Sequence, residues 1–375
     1  MTTRLGTSID RATAYCSYCP KLCRFSCPAA EAEGRETVTP WGMMRLLELV
    51  RQGVVEPSAE VAEVFYHCMG CLRCQTWCKH TNDVPKAMWA ARAWMRKEGH
   101  VPEALQGFRN FFLEGSSPHQ DSESLCDHSL AEVFDPEATI AYMPDCETRH
   151  HFPRLIVRVG ALLERLLGDK VRLMTKTDQG GKACCGFPLL AAGEEEEYEG
   201  YRAELEGAFG NLELVITDCA GMVSLHRDGG SWGEESTIPI VHTISVIADH
   251  LSSADVETPV DLTGTLLHDS CFVTRHLGLG QETRRIVGTI SESDPNEFYA
   301  HGDDAPCCGG PSHYRVIAKD GSQTCAEQRV DEMHREGGQH IVCTSSTCKK
   351  AFGRAEKNVA DDLVDYVCDA VGIPR

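Results

Sequence analysis

The chain has 375 residues, enough for two or three domains with hydrophobic cores, and its formal net charge of −20 at pH 7 argues against a nucleic-acid binder. Its 20 cysteines do not fit a secreted disulfide scaffold, because such scaffolds are short and begin with an apolar signal segment, which we do not find here. The sequence has no apolar run of about 18 residues, the length that a membrane span requires. We therefore expect a cytoplasmic protein, in which reduced thiols bind metal.

Two runs of four closely spaced cysteines come first. The second run, which begins at Cys68, has the C-x2-C-x2-C-x3-C spacing of bacterial ferredoxins. The first run, which begins at Cys16, has one additional residue between its second and third cysteines but keeps the final Cys-Pro. In such pairs, three cysteines of one run hold a [4Fe–4S] cluster with the fourth cysteine of the other run. The two predicted ligand sets are Cys16, Cys19, Cys23 and Cys78, and Cys68, Cys71, Cys74 and Cys27.

Zinc is the alternative for these eight cysteines, since four thiolates also satisfy a zinc ion. Zinc ribbons usually combine two C-x2-C pairs, whereas each run here has four cysteines and a trailing x3-C. Iron–sulfur clusters are therefore the interpretation that the spacing favours.

The segments around the two runs are predicted to be helical. Thr39 is a suitable N-cap with Pro40 in the first turn, and Gly53 can end that helix. Two further helices are predicted over 58–67 and 84–97. The region resembles the α-helical ferredoxin domains of succinate dehydrogenase-type iron–sulfur subunits. We therefore expect a ferredoxin domain over 1–115 and a polar linker over 115–124.

Two Cys-Cys-Gly sequences, beginning at Cys184 and Cys307, dominate the rest of the chain. Adjacent cysteines do not readily form a disulfide with each other, because that bond requires suitable Cβ directions, but both can reach one metal centre. A single cysteine precedes each pair at the end of a strand-like run. After each pair, another apolar run leads to at least one more cysteine. The repeat is too long for a solenoid and indicates a duplicated domain in which three loops converge on one centre.

Alternating strand and helix patterns predict two Rossmann-like α/β units with parallel sheets over 136–251 and 264–375, joined by a short polar segment over 252–263. The predicted strands are 139–145, 171–175, 212–217, 264–270 and 340–342. The predicted helices are 155–167, one starting at Glu194, 282–290, 325–336 and 349–371. The expected fold class is thus α + α/β, with the helical ferredoxin domain followed by two duplicated modules whose ligands lie on loops after the strands.

This pattern resembles the CCG-domain family of cysteine-rich domains. The family includes the heterodisulfide reductase B and D subunits and the iron–sulfur subunits of glycolate, lactate and anaerobic glycerol-3-phosphate dehydrogenases. The resemblance implies that each module holds either a further [4Fe–4S] cluster or zinc. The implied ligands are Cys146, Cys184, Cys185 and Cys219 in the first module, and Cys271, Cys307, Cys308 and Cys348 in the second, with Cys343 in reserve.

Neither module keeps the Cys-x-x-Cys that ends the family motif. The first module has Met222 in place of the second cysteine. In the second module, matching the strand ends places Ser345 at the first position, whereas matching the distance from Cys308 makes Cys343 the first ligand. A noncubane cluster with five cysteine ligands is therefore disfavoured in the first module and requires Cys343 in the second.

Several cysteines and histidines lie outside these motifs. We interpret Cys126, Cys325 and Cys368 as inert thiols. For the histidines near the cluster loops, hydrogen bonding or proton transfer is conceivable, but a structural role is the simpler interpretation of each: His67, His80, His150, His151, His268, His276 and His313.

Electron transfer is the function that these motifs predict. No strand is followed by Gly-x-Gly-x-x-Gly, so hydride chemistry would belong to a partner subunit. The resemblance implies a flavoprotein dehydrogenase for glycolate, lactate or glycerol-3-phosphate that passes electrons towards membrane quinone, which would place the chain peripherally on the inner face of the membrane through a partner. Two alternatives stay open: a heterodisulfide or disulfide reductase acting at a CCG cluster, and a zinc-bearing assembly or scaffold protein.

Overall fold

The computed structural model describes residues 4–115, 117–119, 134–174, 178, 182, 184–226, 238–293, 296–310 and 312–375. Within these residues, the chain forms an N-terminal helical region and two α/β units, each built on a four-stranded parallel sheet. No helix in this part of the chain is long and apolar enough to cross a membrane. Most of the predicted linker over 115–124 lies outside the described residues, as does Cys126.

Short helices surround the two cysteine runs in the N-terminal region. Its α-helices are α1 (Thr7–Ser17), α2 (Pro28–Glu33), α3 (Pro40–Arg51), α4 (Ala59–Tyr66), α5 (Arg73–Thr76), α6 (Val84–Lys97) and α7 (Phe108–Gly115), and its 3-10 helices are Leu22–Ser26, Glu36–Val38 and Glu103–Leu105. Thr39 caps α3 as predicted, because its Oγ1 accepts a hydrogen bond from the Gly42 N–H at 3.0 Å. Ser58 and Asp83 cap α4 and α6 in the same way. These caps fix where each helix starts and therefore where the cysteine loops lie.

The first α/β unit follows the predicted alternation of strands and helices. Its strands are β1 (Ile140–Met143), β2 (Val171–Leu173), β3 (Leu214–Thr217) and β4 (Ile240–His242), in the order β2-β1-β3-β4. Its helices are α8 (Cys146–His151), α9 (Pro153–Leu167), α10 (Phe187–Ala192), α11 (Glu195–Phe209), α12 (Ala220–His226) and α13 (Thr243–His250). Apolar residues of β1 and β3 are buried on both faces of the sheet, as is typical of parallel sheets covered by helices.

The second α/β unit has the same strand order. Its strands are β5 (Thr265–His268), β6 (Asn296–Glu297), β7 (His340–Cys343) and β8 (Ala360–Asp362), in the order β6-β5-β7-β8. Its α-helices are α14 (Gly280–Ile290), α15 (Tyr314–Ile317), α16 (Lys319–Arg335), α17 (Ser346–Ala355) and α18 (Leu363–Ala370). A π-helix covers Phe272–His276, and 3-10 helices cover Ser253–Asp255 in the join and Gly302–Asp304. The shared order fits a duplication.

The predicted terminal helix over 349–371 is wrong. Helix α17 ends at Ala355, and Asn358 adopts a left-handed conformation with φ of +58°. The chain then forms β8, in which Ala360 pairs with Ile341 of β7, before α18 begins. The prediction relied on helical periodicity, which cannot detect a strand of three residues that is stabilised by pairing with a distant neighbour. It missed β4 and β6 for the same reason.

The two α/β units share one hydrophobic core. Helices α9 and α13 of the first unit pack there with α14 and α18 of the second. Arg158 on α9 is buried and donates hydrogen bonds to the carboxylates of Asp365 and Asp369 on α18. Thr148 Oγ1 also lies 2.6 Å from Ser346 Oγ, so polar contacts join the units beside the apolar ones.

Arg92 on α6 connects the helical region to both α/β units. Its side chain is 0% exposed, and its guanidinium donates to the carbonyls of Phe65 and Cys68 at 2.8 and 2.6 Å. It also donates to the Ala191 carbonyl of the first unit at 2.8 Å and to Ser312 Oγ in the second unit at 3.3 Å. One buried cation thus satisfies acceptors from three parts of the chain.

Replacing Arg92 with methionine should lower the apparent melting temperature strongly in anaerobic thermal denaturation. The substitution leaves buried carbonyls without donors, at about 1–3 kcal/mol for each acceptor, so we expect a loss of about 3 kcal/mol or more. Lys97→Ala is the matched control, because Lys97 on the same helix pairs with Glu195 at 3.4 Å through side chains that are 60% and 45% exposed. That change should cost about 0–1 kcal/mol. Equal losses in the two variants would contradict the role given to Arg92.

Candidate iron–sulfur and metal centres

The first group of thiols, named quartet A here, consists of Cys16, Cys19, Cys23 and Cys78. They lie at the end of α1, in the segment after it, and just after α5. The pKa of Cys23 is raised to about 12, chiefly by burial and further by the other three thiolates of the quartet. Asn82 Nδ2 donates a hydrogen bond to Cys16 Sγ at 3.3 Å. The structure therefore brings three cysteines of the first run together with the last cysteine of the second.

The second group, named quartet B here, consists of Cys27, Cys68, Cys71 and Cys74. Cys27 immediately precedes α2, and the other three come from the loop after α4 and from α5. Burial, followed by the other three thiolates of quartet B, raises the pKa of Cys74 well above its ordinary value. Cys23 of quartet A adds to that effect, so the two quartets are neighbours. The grouping is the crossed arrangement that the spacing predicts.

Quartet B also contacts the second α/β unit. A hydrogen bond from the Cys307 thiol lowers the pKa of Cys71 to about 6, and it outweighs the opposite effect of burial. The Arg275 and Arg73 guanidinium groups lower the pKa of Cys71 further. A ferredoxin-type thiol and a thiol of a Cys-Cys-Gly pair are therefore in direct contact.

Hydrogen bonds hold the quartet B loop against this unit. Arg275 Nε donates to the Cys71 carbonyl at 2.5 Å, and His276 Nε2 lies 2.8 Å from the Gly70 carbonyl oxygen. Asp304 accepts from Trp77 Nε1 at 2.8 Å and forms an ion pair with Arg73 at 3.2 Å. These contacts fix the position of the loop on both sides of the Cys71 thiol.

The thiols of the second unit form a third group. Cys271 Sγ lies 3.9 Å from Cys307 Sγ, and both thiols are buried. Hydrogen bonds from Cys307 and Cys348 lower the pKa of Cys308 well below its ordinary value. Four of the predicted ligands are thus linked through a chain of thiol contacts, which we call the second centre.

The first unit has the corresponding group, which we call the first centre. Cys219 Sγ lies 3.6 Å from Cys185 Sγ and accepts a hydrogen bond from the Met222 N–H at 3.4 Å. A hydrogen bond from Cys184 lowers the pKa of Cys146 to about 7 and outweighs burial. All four predicted cysteines of this unit are therefore linked in a chain of thiol contacts that runs Cys146, Cys184, Cys185 and Cys219.

The glycine that follows each Cys-Cys pair is required by the backbone. Gly186 and Gly309 have φ of +84° and +78°, a region that residues with a side chain rarely adopt. A Cβ on Gly186 would lie 2.9 Å from the Tyr201 ring, and a Cβ on Gly309 would lie 2.5 Å from the Ser322 carbonyl oxygen. Glycine therefore lets each thiol pair turn into its centre against a packed neighbour.

The sheet register shows that the two units keep opposite halves of Cys-x-x-Cys. Thr217 pairs with Met143 at the end of the first sheet's central strands, as Cys343 pairs with His268 in the second sheet. Counting forward from these positions places Ser345 opposite Cys219 and Cys348 opposite Met222.

The same register places Cys343 inside β7, where its Sγ donates to the Asp361 carbonyl at 3.4 Å. Cys343 therefore occupies the position of Thr217 in the first unit, before the loop that carries the motif. The geometry favours the alignment by strand ends.

Comparison with known families finds two matching domains. Residues 12–82 match the 4Fe-4S dicluster domain, and residues 265–353 match the cysteine-rich CCG domain. The chain carries both domains. The resemblance expected from the cysteine pattern is thus confirmed, and the dicluster domain contains both quartets.

Three curated relatives align with most of the chain. The B subunit of fumarate reductase (CoM/CoB) from Methanothermobacter marburgensis is 26% identical over 338 residues, which cover 87% of this chain and 65% of the relative. The D subunit of the dihydromethanophenazine:CoB–CoM heterodisulfide reductase from Methanosarcina barkeri is 23% identical, covering 85% and 81%. The probable glycolate oxidase iron-sulfur subunit of Bacillus subtilis is 21% identical, covering 94% and 92%. The chain thus spans less than two thirds of the first of these relatives.

The surroundings of the two quartets fit [4Fe–4S] clusters. Each quartet presents four thiolates, the soft ligands that iron–sulfur centres use. Backbone N–H groups of Ala30, Gly70 and Arg73 stabilise the thiolates of Cys27, Cys68 and Cys71, respectively. Hydrogen bonds to cluster sulfur atoms tune reduction potential, so the loops supply both ligands and a means of setting the potential.

Sequence reasoning missed one histidine beside the first centre. His119 lies in the segment predicted as a linker, yet it is buried against Cys146, and ligand nitrogens of His119, His150 and His151 lie within 4.8 Å of one another. Its segment shows no motif that would have identified it.

The remaining unassigned thiols behave as predicted in the described residues. Cys325 Sγ donates to the Pro28 carbonyl at 3.5 Å, and Cys368 Sγ donates to the Arg158 carbonyl at 3.6 Å. Both are buried and hydrogen-bonded to backbone, as structural cysteines usually are.

Cys27→Ser and Cys68→Ser should damage the same cluster, although 41 positions separate the two residues. Both contribute thiolates to quartet B, so each variant should lose the same component of the reduced EPR spectrum and about half of the dicluster iron. Cys325→Ser is the control, because that thiol is buried near Cys27 and belongs to neither quartet. A Cys27→Ser protein that retains the signal lost in Cys68→Ser would overturn the crossed assignment.

Proposed function

We propose that the chain is an iron–sulfur electron-transfer subunit of an oxidoreductase complex. Two [4Fe–4S] clusters, held by quartets A and B, relay single electrons between a partner protein and the metal centres of the α/β units. The observation that carries the proposal is the contact between Cys71 of quartet B and Cys307 of the second centre. Such a contact places two redox-capable sites next to each other. Electron transfer requires this proximity, whereas a structural zinc site does not.

Quartet A is the proposed entry point for electrons. Three of its four cysteines are partly exposed, whereas the thiols of the second centre are buried. Large apolar side chains lie exposed around it, with Tyr18 93% and Phe25 75% exposed. An exposed aromatic patch beside a cluster suits a redox partner that docks close enough to transfer electrons.

The proposed partner is a flavoprotein dehydrogenase or another redox protein of the same complex. The relatives are named as subunits, one of them as the iron-sulfur subunit of a probable glycolate oxidase, which supports a role within a complex. Glycolate, lactate or glycerol-3-phosphate oxidation in the partner, with electrons passing towards quinone, would place the chain in the cytoplasm or peripherally at the inner membrane face. The proposed domain limits are 1–115, 136–251 and 264–375, with both α/β units as Rossmann-like CCG modules.

Reduction of a heterodisulfide is the second candidate, because one relative is named as part of a heterodisulfide reductase. This reaction would require a centre that binds substrate sulfur. Each unit keeps only one cysteine of the Cys-x-x-Cys that ends the family motif, Cys219 in the first and Cys348 in the second, and this incomplete motif weakens the reductase hypothesis. Electron transfer is therefore the function that the geometry supports better.

Anaerobic iron, sulfide and zinc analysis combined with EPR tests the proposal. We expect about eight irons from the dicluster domain, together with further iron or zinc in the two centres. An EPR signal that responds to added disulfide would instead indicate the reductase. Zinc in place of iron in the dicluster domain, without any reduced-cluster signal, would leave a scaffold protein as the explanation.

Cys184→Ala should release the metal of the first centre and destabilise the first α/β unit, because the remaining thiols then crowd together without a full ligand set. Metal content and the melting temperature measure both effects. Cys368→Ala is the matched control, since it removes an equally buried thiol of the shared core that contacts no centre. Unchanged metal and melting in Cys184→Ala would count against a metal in the first unit.

A further inference from the structure

One histidine faces the thiols of the second centre. His268 is the last residue of β5, and its side chain is 0% exposed. A ring nitrogen of His268 and the Sγ atoms of Cys308 and Cys348 all lie within 4.8 Å of one another. The ring of Phe352 stands perpendicular to the imidazole, with centroids 4.8 Å apart, and holds its orientation. The imidazole is therefore positioned inside the centre and not merely near it.

Apart from the interaction of His268 with the Cys308 thiol, neither ring nitrogen has a hydrogen-bond partner within the described part of the chain. A thiol is only a weak hydrogen-bonding group, and a polar group buried without a good partner costs about 1–3 kcal/mol. Coordination to a metal would offset that cost, and neutral imidazole is a common ligand of iron and zinc. The poorly satisfied imidazole thus points to a ligand that occupies the space between it and the two thiols.

Comparison of the two α/β units shows how the residues around the second centre differ from those around the first. Met143 occupies the position of His268, since each residue ends its central strand and lies three positions before the first cysteine of its unit. The second unit also has Ser345 where the first has Cys219. It has Cys348 where the first has Met222, so both centres keep four thiols and the second gains an imidazole as a fifth candidate donor.

We propose that His268 is a direct ligand of the metal in the second centre, together with three of the four thiolates of Cys271, Cys307, Cys308 and Cys348. This deepens the proposed function and rests on it only in requiring that the second centre binds metal. Five donors exceed the four that a tetrahedral zinc ion or a cubane [4Fe–4S] cluster takes from a protein, so His268 binds in place of one of the four thiolates. If the metal is an iron–sulfur cluster, neutral imidazole in place of thiolate raises its reduction potential, which favours this centre as the electron acceptor for quartet B.

Pulsed EPR on the full chain, with ¹⁵N-labelled histidine, tests the ligand directly. We expect a nitrogen coupling of the size that a bound imidazole gives, and we expect it to be absent in His268→Met, which copies the side chain of the first unit. His268→Cys should also lose the coupling, keep its iron and shift the potential of the second centre downward. His242→Asn is the control, because His242 is buried in the first unit and its Nδ1 accepts from the Ile244 N–H at 3.2 Å.

The outcomes separate this inference from the function. A coupling that survives in His268→Met, or a wild-type centre without any bound nitrogen, would overturn the ligand role even if both dicluster signals are present. Should His268→Met fail to fold, the labelled wild-type spectrum decides the question alone. If metal analysis finds zinc in the second centre, X-ray absorption at the zinc edge replaces EPR: three sulfurs and one nitrogen support His268 as a ligand, and four sulfurs exclude it.

Discussion

The crowding of buried thiols is the constraint on which the rest of this structure depends. Burial and the proximity of other thiolates raise the pKa of Cys23 and Cys74, so the metal-free form of either quartet holds its cysteines as neutral, poorly solvated thiols. A bound metal compensates the negative charge and makes the same crowding favourable. The caps of α3, α4 and α6 and the buried Arg92 then serve one purpose, which is to hold short loops in place around groups that would otherwise repel one another.

The two α/β units show how a duplicated scaffold can support unlike centres. Their strand orders are the same, and each Cys-Cys pair is followed by a glycine with positive φ that packs against its own neighbour. The residues that line the two centres differ, with Met143 against His268, Cys219 against Ser345 and Met222 against Cys348. Because the backbone is preserved while the donors change, the scaffold fixes where a metal binds and the loops determine which donors it receives.

The sequence was informative wherever the determinant is local. Cap residues such as Thr39 and the spacing of the cysteine runs depend on neighbours within a few positions, and the helices and both quartets follow from them. The strand β8 and the contact between Cys71 and Cys307 depend on residues far apart in the chain. Periodicity and spacing do not detect contacts between residues far apart in the chain. For this reason the sequence predicted a helix over 349–371, and it could not indicate which CCG centre lies next to the dicluster domain.

Cys343 illustrates the same limit at the level of a single ligand. Counting residues from Cys308 makes Cys343 a candidate, whereas counting from the end of a strand makes Ser345 its competitor, and the sequence offers no reason to prefer either count. Pairing of β7 with β5 favours the count from the strand end, because Cys343 pairs with His268 as Thr217 pairs with Met143 and therefore precedes the loop that carries the motif. The thiol of Cys343 donates a hydrogen bond to the Asp361 carbonyl, and His268 on the neighbouring strand lies beside Cys308 and Cys348. A donor found through strand register, and not through spacing, is the kind of ligand that a cysteine motif leaves unpredicted.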